Sequence, residues 1–443
     1  MTPAPEAVGA RNRLVGLLPK GTLQVAAGLS ILGAASYIHL AIAGHSLSTA
    51  AMADLSVVWS VVFSIGIGLY YPIEQEVTRT AAGRRVSGVG VGPLLRRGFV
   101  LAGLLSAGLA AVLAIATPVL ADRLFSGHVS LVLVTVAGIL GWAVASPVRG
   151  IAAGIGEFRL YGLQMGLDGG LRIALAAALG VAAAAGLRSP DLFGLILIVA
   201  PLLATLIAAR PTRRVVTSGP PATGTELGHG LAPLIVSALL GQCVLNAPVV
   251  AARLLAPADV ALAAALLSAL ILIRVPIFIF AALQASLLSG LATAAAAGDL
   301  ATFGRMLRQA CVVVTGLMVV GGIPAILLGP WLIGALFAAP DVLGWFDFAI
   351  LAAGTLGYLL TLVLGQGALS LRRHRFQMGA WIVGTVALVV VTLVPGDVRL
   401  RVEWAYAIST WVVVAGLALA LFWYRATIHA ASRNPAPVAD PAG

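Results

Sequence analysis

Apolar stretches of about 20 residues recur along the whole chain and constrain its fold more than any other feature, since each is long enough to cross a ~30 Å hydrocarbon core as a helix. Of the 443 residues, 60% are hydrophobic and only 10% are charged, and the mean hydropathy is +1.05. A soluble domain carries about 25% charged residues. The composition therefore excludes a water-solvated globule and predicts an all-α polytopic membrane protein.

Hydropathy, charge and the positions of glycine and proline predict twelve membrane spans. Their ranges are 21–44, 50–72, 98–120, 129–153, 160–187, 191–209, 229–253, 258–283, 305–329, 343–369, 376–395 and 402–424. The longest polar connections, 73–97 and 210–228, are too short for an inserted soluble domain. The predicted organisation is a cytoplasmic N-terminal segment 1–20, a first lobe 21–209, a linker 210–228, a second lobe 229–424 and a cytoplasmic disordered tail 425–443.

Basic residues are distributed unevenly between the two sets of connections. With the N-terminus inside, twenty Lys and Arg residues fall in inside segments and five in outside segments. The positive-inside rule then predicts that both termini are cytoplasmic in a bacterial plasma membrane. The same loops account for the net charge of +11, and because no aromatic-interleaved basic patch occurs, we expect no nucleic-acid partner. The N-terminus lacks a compelling short apolar region and cleavage site, so no removed signal peptide is expected.

Short sequence matches recur at a nearly constant offset. Leu95-Arg96-Arg97 returns as Leu307-Arg308-Gln309 at an offset of 212, and Gln164-Met165-Gly166 returns as Gln377-Met378-Gly379 at an offset of 213. Six predicted helices separate the matched positions, so the two halves run in the same direction across the membrane. This pattern predicts two parallel six-helix lobes, related by an axis along the membrane normal, around a central cavity.

Arg274 lies within the apolar segment ILIRVPIFIF of the eighth predicted span. A charge at this depth is costly unless it is paired or wetted. Two interpretations stay open: a structural arginine that snorkels or pairs with an acid, and a cavity cation that binds a phosphate through its planar fork of donors. Pro276, two residues later, would let the backbone bend.

Other polar residues within predicted spans are candidate site residues. Asp168 and Arg172 are spaced i, i+4 and can form a structural ion pair, with Asp168 as a proton or cation site as the alternative. Gln242 and Asn246 share one face of the seventh span, and Gln24 has a similar place on the first. Hydrogen bonding between helices is the default role for such amides, and a carbohydrate-facing surface is the alternative.

Glu74 and Glu76 follow the second predicted span, where Pro72 is expected to loosen the helix end. Their i, i+2 spacing puts them about 200° apart on a helix, so they do not converge as the two carboxylates of a general acid–base pair would. They are predicted to act at a cytoplasmic gate or to be structural, and either can pair with Arg79 only if the helix continues past Pro72. The chain has no G-x-S-x-G, H-E-x-x-H or Walker motif and only two cysteines, so we expect no enzyme, catalytic residue, metal site or cofactor.

Three motifs carry a resemblance to a known family. The sequence resembles the polysaccharide-export (oligosaccharide flippase) branch of the multidrug/oligosaccharidyl-lipid/polysaccharide exporter superfamily, and in particular its actinobacterial members. The similar segments are Pro72-Ile73-Glu74-Gln75-Glu76; Arg149-Gly150 through Gly154 with Tyr161 and Arg172; and Arg274-Val275-Pro276 followed by Gln284-Ala285-Ser286-Leu287-Leu288.

The resemblance implies two six-helix lobes, alternating access and a lipid-linked saccharide substrate on an undecaprenyl-type carrier. The pyrophosphate of that substrate would be neutralised by Arg274, Arg149 and Arg172. The bilayer and a polysaccharide polymerase or glycosyltransferases are the implied partners.

Two other transporter classes and a non-transporting scaffold stay as alternatives. The segment from Glu76 through Arg79 to Gly83-Arg84-Arg85 is similar to the loop motif of the major facilitator superfamily, but it lacks the Asp-Arg pair. A multidrug exporter of organic cations would require acids and aromatic residues in the cavity, where only Asp168 is well placed.

Overall fold

The computed structural model describes residues 22–223, 226–227, 231–371 and 373–433, and within these ranges the chain is helical with short connections and no strand. The predicted segment 1–20 lies outside the described residues. The thirteen helices described are α1 (Thr22–Ser46), α2 (Thr49–Val86), α3 (Gly92–Leu124), α4 (Val129–Gly154), α5 (Phe158–Ala184), α6 (Pro190–Val215), α7 (Leu231–Leu255), α8 (Val260–Ile273), α9 (Val275–Ala296), α10 (Leu300–Phe337), α11 (Trp345–Ser370), α12 (His374–Leu393) and α13 (Val398–Arg433).

Eleven of the described helices are long and apolar enough to cross a membrane, and the predicted all-α polytopic class is confirmed. The eighth predicted span, 258–283, differs from the expectation of one continuous helix. It consists of the short apolar helix α8 followed by α9, and Arg274 closes the first and opens the second with φ −81° and ψ −1°. Pro276 lies in the first turn of α9, where its missing N–H has no intrahelical partner to lose.

Several of the described helices continue beyond the predicted spans into polar sequence, among them α3, which begins at Gly92, and α6, which ends at Val215. Helix α2 passes through Pro72 and ends at Val86, so the expected loop 73–97 is wrong for its first fourteen residues. Helix α10 begins at Leu300, ahead of the predicted span at 305. Helix α13 continues to Arg433, so residues 425–433 are helical rather than disordered, while 434–443 lie outside the described residues.

The chain divides into two compact units, Met1–Ala238 with Leu336–Ala338, and Leu239–Ala335 with Ala339–Gly443. In the first, α2 packs on α4, α4 on α6 and α5 on α6. In the second, α8 packs on α11, α11 on α13 and α12 on α13. Because α8 and α9 together form the eighth predicted span, α11, α12 and α13 are spans 10, 11 and 12. The contacts between spans 2 and 4, 4 and 6, and 5 and 6 therefore correspond to those between spans 8 and 10, 10 and 12, and 11 and 12. Three helix pairs of the first unit thus recur in the second, as expected for sequence repeats, whereas the close pair of α1 with α5 has no comparably extensive counterpart between the described residues of α7 and α12.

A seam of glycines brings α1 and α5 into backbone contact in the first unit. A Cβ atom on Gly28 would overlap the carbonyl of Gly162, and one on Gly162 would overlap the carbonyl of Gln24. One on Gly169 would lie 2.9 Å from the carbonyl oxygen of Ile31. Small residues allow such close packing between membrane helices, so the seam depends on residues without side chains.

Two neighbouring glycines on α5 test the seam. Gly169→Ala places a methyl group against the α1 backbone and is expected to destabilise the protein by about 1–3 kcal/mol, the usual cost of overpacking. Gly170 is exposed, and a Cβ there would meet nothing within 4 Å. Gly170→Ala is expected to be neutral or to stabilise the helix by up to ~1 kcal/mol. Thermal unfolding of both purified variants checks this, and equal melting temperatures would contradict it.

Candidate functional site

A buried ion pair lies at the centre of the first unit. Glu74 and Arg149 are 4% and 3% exposed, and Arg149 Nε donates to Glu74 Oε2 over 2.9 Å. The hydroxyl of Tyr161 donates to Glu74 Oε1 over 3.0 Å. One carboxylate thus joins α2, α4 and α5, and it is satisfied by a full positive charge and a neutral donor.

The local sequence lets α2 and α4 approach closely enough to form this pair. A Cβ on Gly150 would lie 2.8 Å from the carbonyl oxygen of Glu74, so a side chain there would push the helices apart. Thr78 Oγ1 donates to Gly150 O over 3.2 Å and to Glu74 O over 2.7 Å. These contacts need α2 to stay helical after Pro72, which accounts for the continuation that the hydropathy pattern did not predict.

Aromatic rings connect Glu74–Arg149 to a second ion pair. Arg172 Nη2 lies 3.2 Å from Asp168 Oδ1, and both side chains are buried. The Arg149 guanidinium lies 5.2 Å from the centre of the Trp142 ring, and that of Arg172 lies 6.0 Å from the Phe63 ring.

The two rings pack edge-on with their centres 5.9 Å apart, so the two arginines flank one aromatic pair. Sequence reasoning missed Trp142, although its spacing of seven residues from Arg149 places both on one helix face.

Of the three predicted gate residues, Glu76 and Arg79 contact each other and Glu74 contacts a different residue. Glu76 pairs with Arg79, whose Nη2 and Nε lie 2.5 and 2.9 Å from its two oxygens. Glu74 instead binds Arg149 within the same unit. The sequence predicted that a glutamate could pair with Arg79 only if the helix continued past Pro72. The helix does continue, and Glu76 and Arg79 form the pair at i, i+3. The gate itself stays a prediction.

The end of α2 also holds part of the predicted linker 210–228. Arg84, a buried arginine that sequence reasoning missed, donates from Nη2 to Glu226 Oε2 over 2.9 Å and from Nη1 to Pro220 O over 3.1 Å. The N–H of Gly92 donates to Thr217 O over 2.9 Å. The linker begins after α6 ends at Val215. Its described residues Thr217, Pro220 and Glu226 are hydrogen-bonded to the end of α2 and the start of α3.

In the second unit, three of the predicted site residues come together at the break between α8 and α9. Arg274 Nη1 donates to Asn246 Oδ1 over 3.0 Å, and Nη2 donates to the carbonyl of Leu245. Asn246 Nδ2 donates to Gln242 O over 3.0 Å, and Gln242 Nε2 donates to the hydroxyl of Tyr358 over 3.0 Å. The network links α7, the helix break and α11, and these acceptors for the arginine are neutral oxygens.

The last predicted site residue, Gln24, lies near the start of α1 with an exposed side chain, and its carbonyl packs against Gly162. Among the residues that the structure describes, no group of three His, Cys, Asp or Glu side chains is arranged to hold a metal ion.

Removing one partner of the Glu74–Arg149 pair is expected to be far more damaging than removing both. Arg149→Leu leaves a buried carboxylate without its cation, which costs about 3–5 kcal/mol. The double variant Glu74→Gln/Arg149→Leu removes both charges and is expected to recover most of that loss. A double-mutant cycle on thermal unfolding measures the coupling, and additive effects would contradict this assignment.

The Arg84–Glu226 contact is expected to release the linker in acid. Hydrogen bonds from Arg84 and from the N–H of Thr223 hold the pKa of the Glu226 carboxyl below its usual range. Because the folded pKa is lowered, the stabilisation is complete above the usual glutamate range and is lost as the pH falls through the lowered value. Limited proteolysis of residues 216–223 is expected to accelerate in acid.

Glu226→Gln provides the control for that experiment. It is expected to be cleaved faster than wild type at neutral pH and to lose the pH dependence between neutral and acid. Cleavage of the wild-type linker that does not change with pH would show that the contact does not hold this segment.

Comparison with known proteins gives distant relatives in sequence and clear ones in fold. No protein-family model matches the chain. Two proteins of Mycobacterium tuberculosis, "Uncharacterized protein MT1558/MT1560" of strain CDC 1551 / Oshkosh and "Uncharacterized protein Rv1510" of strain ATCC 25618 / H37Rv, are each 28% identical to it over 408 residues, covering 89% of this chain and 90% of the relative.

Solved structures of MATE transporters share the fold over nearly the full length. An inward-facing multidrug resistance MATE family transporter of the MOP superfamily aligns with a TM-score of 0.65 at 15% identity, covering 93% of this chain and 96% of that one. The eukaryotic MATE transporter AtDTX14 aligns at 0.63 and 15%, with the same coverage. Vibrio cholerae VcmN aligns at 0.59 and 17%, covering 91% and 96%. The chain is a multi-pass membrane protein with the fold of the MATE transporters.

Proposed function

We propose that the protein is an alternating-access transporter that moves a lipid-linked oligosaccharide on a polyprenyl-pyrophosphate carrier from the inner to the outer leaflet of a bacterial plasma membrane. The glycan would supply cell-surface polysaccharide biosynthesis, with both termini of the protein in the cytoplasm. Structures that share the fold have been solved in inward-facing and outward-facing conformations, which supports alternating access as the mode of action.

Arg274 is the observation that carries the choice of substrate. It lies in a helix break within an apolar segment, and its hydrogen bonds to Asn246 and Leu245 run to uncharged oxygens. Those contacts orient the guanidinium, whose planar fork of donors is well matched to a phosphate group.

The arginines of the first unit have a different electrostatic setting. Arg149 and Arg172 each contact a buried carboxylate, Glu74 and Asp168 respectively. Those pairs are neutral as units, which weakens their attraction for a further anion. We therefore propose Arg274 as the primary pyrophosphate contact, with Gln242 and Asn246 ordering it, and assign Arg149 and Arg172 to a supporting role.

A multidrug-type exporter is the second candidate, because two of the solved structures that share the fold are named as multidrug resistance transporters. An organic cation would need carboxylates to bind. Glu74 and Asp168 are buried but each contacts an arginine, which weakens their attraction for a second cation. The electrostatics of the described site residues thus support an anionic substrate better than a cationic one.

Reconstitution with two arginine variants tests the proposal. Wild-type proteoliposomes are expected to translocate a fluorescent polyprenyl-pyrophosphate saccharide, measured by its accessibility to an impermeant quencher. Arg274→Ala is expected to slow translocation about tenfold or more, since a hydrogen bond to a charged group is worth ~1.5–3 kcal/mol. Arg308→Ala, which removes an exposed arginine of the same unit, is the matched control and is expected to retain the wild-type rate.

Two outcomes would overturn this function. Translocation by Arg274→Ala at the wild-type rate would remove the anion site from Arg274. Wild-type protein that leaves the saccharide in place but extrudes a cationic dye would identify the multidrug-type transporter instead. In cells, deletion of the gene is expected to leave lipid-linked glycan on the cytoplasmic leaflet, where a polymerase or glycosyltransferase partner acting outside cannot use it.

A further inference from the structure

Two buried carboxyl groups of the second unit face each other where α11 packs on α13. Glu403, in α13, is 0% exposed, and neither of its oxygens has a hydrogen-bond partner among the described residues. Asp347, in the first turn of α11, is 3% exposed, and its Oδ1 atom likewise has no described partner. The two side chains are within interaction range of each other. Three buried carboxyl oxygens are thus left unsatisfied at one place.

The other oxygen of Asp347 is well satisfied. Oδ2 accepts the N–H of Gly344 over 2.6 Å and a hydrogen bond from Arg399 Nη1 over 3.3 Å. Arg399 is half-exposed and also lies 3.9 Å from Asp397. The charged groups that act on Glu403 are Asp347, Arg399 and Asp397.

The other nearby arginine is directed elsewhere. Arg401 Nη1 donates to the carbonyls of Val394 and Thr392 at the end of α12, over 3.0 and 3.4 Å. Among the described residues at this end of α11 and α13, the half-exposed Arg399 is therefore the arginine that acts on Asp347, Asp397 and Glu403. In the first unit, by contrast, the buried acids Glu74, Glu76 and Asp168 each contact a different arginine.

Within the described part of the chain, the two carboxyl groups lack a hydrogen-bond donor for their unsatisfied oxygens. An ionised carboxylate only accepts hydrogen bonds, so two ionised groups can satisfy neither of the facing oxygens. A protonated Glu403 can donate its O–H to Oδ1 of Asp347, which satisfies that acceptor and removes one of two like charges from a buried place. We propose that Asp347 and Glu403 form a proton-binding site in which one proton is shared between the two carboxyl groups.

The site lies near the start of α11. Asp347 is in its first turn beside Trp345, which is 67% exposed, and tryptophan is enriched at the boundary between membrane and water, where protons are available. Loss of the proton leaves two adjacent buried carboxylates, whose repulsion acts to separate the first turn of α11 from the second turn of α13. The site is thus a pH-sensitive contact between two helices of the second unit, and it does not depend on which substrate the protein carries.

Infrared spectroscopy of the full chain in lipid nanodiscs tests the site. The wild type at neutral pH is expected to show the absorption band of a protonated carboxyl group, and the band is expected to disappear as the pH is raised. Glu403→Gln is expected to lack the band. Asp341→Asn removes an exposed acid shortly before α11, serves as the matched control and is expected to keep it.

A second measurement follows the helix contact itself. Hydrogen exchange of the amides in 344–350 and 400–406 is expected to accelerate over the same pH range in the wild type and to become independent of pH in Glu403→Gln. A wild type without the band at neutral pH, or a folded Glu403→Gln that keeps it, would overturn the proposal. If Glu403→Gln does not fold, the wild-type titration decides alone, because the absence of a band at neutral pH excludes the shared proton.

Discussion

The buried pair of Glu74 and Arg149 is the interaction on which the first unit depends. A carboxylate removed from water must have a cation and hydrogen-bond donors beside it, or the penalty for burying it is prohibitive. Arg149 on α4 and Tyr161 on α5 meet that requirement. The consequences spread outward, because α2 must remain helical past Pro72 and α4 must carry glycine at position 150.

Buried charge is arranged differently in the two units, although three of their helix pairs correspond. The first balances Glu74 with Arg149 and Asp168 with Arg172. In the second, Arg274 donates hydrogen bonds to Asn246 and Leu245 at a helix break, and the buried carboxyl groups of Asp347 and Glu403 lie near the half-exposed Arg399. Under our two proposals, the binding chemistry of the protein therefore lies mainly in the second unit.

Contacts of short range were accessible from the sequence, and contacts of long range were not. The pair of Asp168 and Arg172 follows from its i, i+4 spacing, and that of Glu76 and Arg79 from i, i+3 once the helix is known to continue. Arg84 and Glu226 are separated by 142 positions, and nothing in either neighbourhood indicates the other. Asp347 and Glu403 lie on two different helices near predicted span ends, where an acid is expected to face water.

The sequence alone determined the class of the protein, an all-α chain that crosses a membrane many times, because a bilayer imposes the length and apolar character of every segment that crosses it. Hydropathy carries no information about where a helix breaks or which neighbour it touches. Only the tertiary structure decided that the eighth span breaks at Arg274, that Arg149 is matched by Glu74 and that Asp347 faces Glu403. Each of these depends on how closely two helices approach, which is set by packing between residues far apart in the chain.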